Sequence, residues 1–135
     1  MATQTINITT HKFKDIDLSF AMNPVTRDIA VKNDQNAVKN AVRNLVLGNN
    51  FEVPFHPEQG CQAAAMLFEL ATPITAEIIK LSVIQVLEKY EPRIQLNEVA
   101  VVSNPDAHSY SVSIVFTVIG YTTPQQVSIV LERTR

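Results

Sequence analysis

The spacing of hydrophobic positions in this chain changes from two to three-and-four and back to two, and those changes mark its elements. Asp15-Ile16-Asp17-Leu18-Ser19-Phe20 alternates strictly, which predicts a strand with Ile16, Leu18 and Phe20 on one half-buried face. Asn23-Pro24-Val25-Thr26 supplies turn chemistry. Ile29 and Val31 continue as a short strand, so residues 15–32 are expected to form a hairpin. Val38, Ala41, Val42, Leu45 and Val46 then recur at helical spacing, with Lys39, Asn40 and Arg43 on the other side. Asn33 or Asp34 can cap this helix. Gly48 is expected to end it in the left-handed conformation.

Pro54-Phe55-His56-Pro57-Glu58-Gln59-Gly60 reads as a rigid loop with Phe55 as its one large anchor. A short helix is expected over 62–70, with Met66, Leu67 and Leu70 apolar. Thr72-Pro73 restarts the chain with a capping hydroxyl and a proline at the first helical position. The following helix, 73–90, carries two apolar arcs. Ile79, Val83, Val86, Leu87 and Tyr90 form one; Ile74, Ile78 and Leu81 form another almost opposite. A helix striped on two sides is covered on two sides, one by its own sheet and the other by a second helix or a partner.

Pro92 drives Glu91 out of the α region and ends that helix near Tyr90. In an extended exit Glu91 and Arg93 point to the same side, so one stiff corner presents a carboxylate and a guanidinium. The sequence leaves open whether they pair with each other or with another chain. Ile94 and Leu96 then fall out of phase with Val99 and Val101, predicting a bulge near Asn97-Glu98. Ser103-Asn104-Pro105-Asp106 is a turn. Tyr110, Val112, Ile114, Phe116 and Val118 face one side of a long strand. Past Gly120 and Pro124, Val127, Ile129 and Leu131 form a terminal one. The expected class is α+β: an N-terminal hairpin and two to three helices on a mixed or antiparallel sheet completed by C-terminal strands. A polar arm, 1–12, precedes a single domain, 13–135.

At 135 residues with 46% hydrophobic positions, the chain can bury roughly two-thirds of its unfolded surface without staples. Its net charge of −2 lacks the basic stripe of a nucleic-acid binder. Charged residues make up 18%, below the usual quarter, which hints at surface facing protein. Cys61 is the single cysteine, so no internal disulfide can form and a reducing compartment is natural. Neither a signal peptide nor an apolar run of membrane-spanning length is expected.

Candidate chemistry is sparse. Glu52 and Glu58 flank the proline loop and Glu91 stands at the corner, a set that could serve a cell-wall hydrolase. No Trp is present to form a sugar platform, however, and ordinary surface acids are the plainer account. His56 and Cys61 could supply two metal ligands where a closed zinc site needs four, and His11 and His108 share no signal with them. The three glycines are scattered, so no phosphate loop is formed, and no serine sits in a nucleophile elbow. No cofactor, metal, nucleic acid, membrane or small-molecule substrate is expected.

Five segments in order carry a resemblance: residues 15–20; Asn23-Pro24-Val25-Thr26-Arg27-Asp28-Ile29; Val42-Arg43-Asn44-Leu45-Val46-Leu47; residues 54–60; and Glu91-Pro92-Arg93-Ile94. Together they resemble the small baseplate wedge, or sheath-initiator, family of contractile phage tails, related to the type VI secretion baseplate. Arg27 stands where many members have glycine, and Asn49-Asn50-Phe51-Glu52 replaces a glycine-containing turn. The resemblance implies a non-enzymatic virion protein assembled in the host cytoplasm. In it Glu91, Pro92 and Arg93 would fix the chain to a helical core bundle of other wedge subunits. The body would resemble the strand-exchanging part of a sheath subunit, and the strand bearing Val127, Ile129 and Leu131 would pair with tail sheath. A second class is a regulatory binding module of the anti-adaptor kind, whose fold is similar.

Overall fold

A computed structural model describes residues 13–133; the expected arm over 1–12 lies outside them. The elements are β1 (Lys14–Ile16), β2 (Val31–Asn33), α1 (Asp34–Leu47), α2 (Ala63–Met66), α3 (Pro73–Tyr90), β3 (Ile94–Asn104), β4 (Ser109–Val118) and β5 (Pro124–Glu132). The last three form an antiparallel sheet in the order β3-β4-β5, and β1 and β2 pair antiparallel as a separate ribbon. The α+β reading holds: among the described residues there are three helices, and every strand pair is antiparallel.

One face of the large sheet holds the core. Tyr110, Val112, Ile114, Phe116 and Val118 of β4 are buried together with Val38, Val42 and Val46 of α1 and Ile79, Val83 and Leu87 of α3. Each such side chain contributes roughly 1.5–3 kcal/mol by leaving water. Helix α3 lies on β3, and α1 packs against α3 and β5. The expected bulge is present: Leu96 pairs with Phe116 and Glu98 with Val115, leaving Asn97 as the extra residue. That residue returns Val99 to the buried side.

Helix α3 begins as its sequence dictates. Thr72 Oγ1 accepts the Thr75 N–H at 3.2 Å, and Pro73 follows at the first position. Ile79, Val83, Val86 and Leu87 of its first arc are buried and Tyr90 half-buried, whereas Ile74, Ile78 and Leu81 are exposed, so nothing among the described residues covers the second arc.

Four expectations are corrected. Strand β1 stops at Ile16, and Leu18 and Phe20 are 57% and 67% exposed. Asp17 ends it by local bonding: its carboxylate accepts the Ser19 N–H and its carbonyl the Phe20 N–H, a turn that competes with the ladder. The ribbon that results is short, although Met22 and Ile29 still bridge across it.

Gly48 is extended (φ −71°, ψ 136°), not left-handed. Its N–H reaches the Asn44 carbonyl, and a Cβ there would lie 3.0 Å from that same oxygen; close approach explains the glycine. Phe55 anchors nothing, being 98% exposed. The loop is closed by its own backbone instead, through Phe51 N–H to Pro57 O and Cys61 N–H to Gly48 O, both 2.9 Å. Helix α2 ends at Met66, beyond which the backbone bonds tighten to i→i−3 turns: Leu67 N–H to Ala64 O, Phe68 N–H to Ala65 O and Glu69 N–H to Met66 O.

Six described residues other than glycine adopt positive φ: Phe20, Arg27, Asp34, Phe51, Phe55 and His108. Two of them, Arg27 and Phe51 with φ of 56° and 69°, stand in the two turns where the sequence departs from the pattern it resembles. Gly60, at φ +150°, is pressed onto the Asn49 backbone: an added Cβ would sit 2.5 Å from Asn49 C and O. Gly60→Ala is therefore expected to cost roughly 1–3 kcal/mol, measured as a shift in urea midpoint. Gly120→Ala, with φ +92° and open space around it, should cost about 1 kcal/mol from backbone strain alone.

Candidate functional site

The corner forms because Pro92 cannot continue a helix and Glu91 is the last residue to bond back into it, N–H to Leu87 O at 3.0 Å. The chain turns through Pro92 into β3, and the Ile119 N–H clasps Arg93 O at 2.9 Å. This fixed backbone aims both charged side chains at one another. Arg93 Nε donates to Glu91 Oε1 at 2.6 Å and a terminal guanidinium nitrogen to Oε2 at 2.8 Å. Within the chain, the two pair as a two-pronged fork.

The pair is asymmetric. Glu91 is 4% exposed and Arg93 30%, so the carboxylate is buried while the guanidinium keeps an outer face. Phe13 lies under that guanidinium, 5.5 Å from ring centre to Cζ, a cation–π contact. Hydrogen bonding to Glu91 holds the guanidinium above its ordinary pKa against partial burial, with the charges of Glu91 and Asp15 adding.

Beside the corner opens a cleft of about 390 Å³. Asn44 and Leu45 of α1 form one wall, Glu52, Val53 and Gly60 of the loop another, and Tyr90, Glu91 and Arg93 the third. Glu52 is committed locally, accepting the Asn49 N–H at 2.9 Å and its side-chain N–H at 2.7 Å. These bonds, the backbone one foremost, lower its pKa.

The other candidates do not converge. Glu52 and Glu91 share the cleft, but each carboxylate is already engaged, and Glu58 is exposed on the loop. Cys61 is buried with its Sγ 3.4 Å from Ser82 Oγ, and His56 is exposed. Among the described residues no group of three or more His, Cys, Asp or Glu could hold a metal ion. No described helix is long and apolar enough to cross a membrane.

Strand β5 lies at one edge of the sheet. Ile129 and Leu131 are 4% and 6% exposed and Val127 is half-buried, so their side chains face the chain's own core. What the strand can offer a neighbour is its backbone edge and the outward Gln126, Ser128 and Val130. Two contacts had no sequence signal: Phe13 under Arg93, and the Asn49–Glu52 cap.

A family model described as baseplate wedge protein gp25 matches residues 32–123. The chain belongs to that family. Baseplate wedge protein gp25 of Enterobacteria phage T4 is 31% identical over 107 residues, covering 79% of this chain and 80% of its own length. Three solved structures share the gp25-like fold. A Geobacter sulfurreducens protein described as a tail lysozyme matches with a TM-score of 0.67 at 20% identity, covering 75% of this chain and 92% of that one. A chain of the anti-feeding prophage baseplate matches at 0.62 and 15%, covering 88% and 84%. A chain of the post-contraction pyocin R2 baseplate matches at 0.51 and 18%, covering 81% and 95%. At these identities the likeness is one of fold, and the lysozyme description transfers no activity to this gp25 relative.

Two outcomes are expected from this geometry. Arg93→Ala leaves a buried carboxylate without its partner; with Arg93 partly in water the loss should be roughly 1–3 kcal/mol rather than the 3–5 of a fully buried pair, read by chemical denaturation. The depressed pKa of Glu52 means its stabilising effect is present above the ordinary value of 4.5 and lost as pH falls through the lower folded value. Amide exchange at Asn49 should accelerate across that window in the native chain, and Glu52→Gln should abolish the pH dependence.

Proposed function

We propose that this chain is a structural wedge subunit of a contractile-tail baseplate, joining a helical core bundle of other wedge subunits to the first ring of sheath. The Glu91-Pro92-Arg93 corner is the core-bundle contact, and the edge of β5 receives a strand from the sheath subunit. The observation that carries the reading is the state of Arg93: held rigid by Glu91 and Phe13, with a face still open to solvent beside a cleft. An arginine fixed in this way loses little freedom when it meets acceptors on a second chain. The corner leads into β3 at one border of the sheet and β5 is the other border, which suits a piece that joins unlike neighbours. Neither needs a catalytic group, so the role is structural and its place is the virion's tail.

Edge pairing supplies the second contact. A strand at a sheet border carries unpaired N–H and C=O groups that template another strand. The outward side chains of β5 between Pro124 and Glu132 are uncharged, so little there repels an incoming strand.

Tail assembly from purified subunits tests both contacts. The double variant Glu91→Leu/Arg93→Met replaces the ion pair by apolar side chains, a change that folds tolerate, and should stay folded yet fail to enter wedges. Normal incorporation would exclude the corner contact. Ser128→Cys should cross-link to a terminal arm of a cysteine-scanned sheath subunit in assembled tails, with the buried Cys61 silent. Cross-links absent from every arm position would exclude strand addition at β5.

A further inference from the structure

The loop from Gly48 to Cys61 holds two phenylalanines in water, and nothing in the corner or the sheet edge uses them. Phe51 is 82% and Phe55 98% exposed. Both adopt left-handed backbone, at φ of 69° and 66°, a conformation that a bulky side chain rarely takes and that clusters where function demands it.

The loop is nonetheless built to hold its shape. Its neck is tied by Cys61 N–H to Gly48 O and by Gly60 seated on the Asn49 backbone. Inside it, Phe51 N–H reaches Pro57 O, His56 N–H reaches Val53 O, Gln59 N–H reaches His56 O, and Glu52 caps Asn49. Pro54 and Pro57 fix two further φ angles. The result is a closed loop of the Ω kind that presents its aromatic side chains from a backbone already fixed, which lowers the ordering cost when an aromatic anchor binds.

Its position and charge say what it meets. Glu52, Val53, Gln59 and Gly60 of this loop line the same cleft as Glu91 and Arg93, so a partner seated on the corner adjoins the loop. The segment 48–61 contains Glu52 and Glu58 and neither Lys nor Arg. Anionic lipid would be repelled by such a tip, whereas a protein pocket with a basic border would complement it. We infer that Phe51 and Phe55 form an aromatic second jaw beside the corner, inserting into an apolar, basic-rimmed pocket on the same helical wedge bundle that Arg93 contacts. This inference rests on the proposed corner contact.

The test uses the full-length chain and the purified core-bundle complex of the same particle, with affinity read by biolayer interferometry. Phe51→Ser/Phe55→Ser should bind roughly tenfold or more weakly with an unchanged or raised melting temperature, since both side chains lie in solvent. Phe55→Trp should bind as the native chain does. If the serine variant binds normally while Glu91→Leu/Arg93→Met does not, the jaw is refuted and the corner stands. Normal binding by both variants refutes both. Native chain that binds phosphatidylglycerol vesicles, or associates with itself, through these phenylalanines overturns the assignment in favour of lipid or a second copy.

Discussion

The turn at Pro92 is the constraint on which this architecture depends. It converts the axis of α3 into the direction of β3 within three residues, and the core exists only because α3 then lies back on the sheet it feeds. Proline supplies the break, but a break alone would leave Glu91 buried and charged. Arg93 answers that charge with two parallel donors from a planar group, which lysine's single ammonium could not reproduce. The ion pair is thus a product of the corner's geometry and a reason for its rigidity. Phe13, arriving from the other end of the described chain, extends the rigidity to the N-terminal ribbon.

Long, regular patterns proved readable and short ones did not. The alternation from Tyr110 to Val118 and the first arc of α3 were legible because many positions vote together and burial rewards the register they choose. The bulge at Asn97 was legible for the same reason: apolar positions on either side disagreed in phase. In contrast, three apolar residues between Asp15 and Phe20 were too few to outweigh the local bonds offered by Asp17. Gly48 was misread because closeness to Asn44 O and a left-handed φ ask for the same residue type. Composition could identify the glycine but not which of two reasons placed it there.

The charged corner was visible in the sequence, but its internal pairing was not. Alternation placed Glu91 and Arg93 on one side; their pairing with each other depended on the burial of Glu91 and on the Ile119 clasp, neither of which is a local property. The residues over 127–131 illustrate the converse. Their periodicity marked a strand with one inward face, and it is the outward backbone of that strand, beyond any side-chain pattern, that defines an edge.

The uncovered arc on α3 bears on how such a chain lives before it finds its place. Ile74, Ile78 and Leu81 form an oily strip on the side of the helix away from its buried arc. Greasy strips of this kind make colloidal behaviour steeply dependent on concentration. Until such a strip is covered, two copies of the chain can meet through it, so its behaviour in solution becomes a question of how much of it is present.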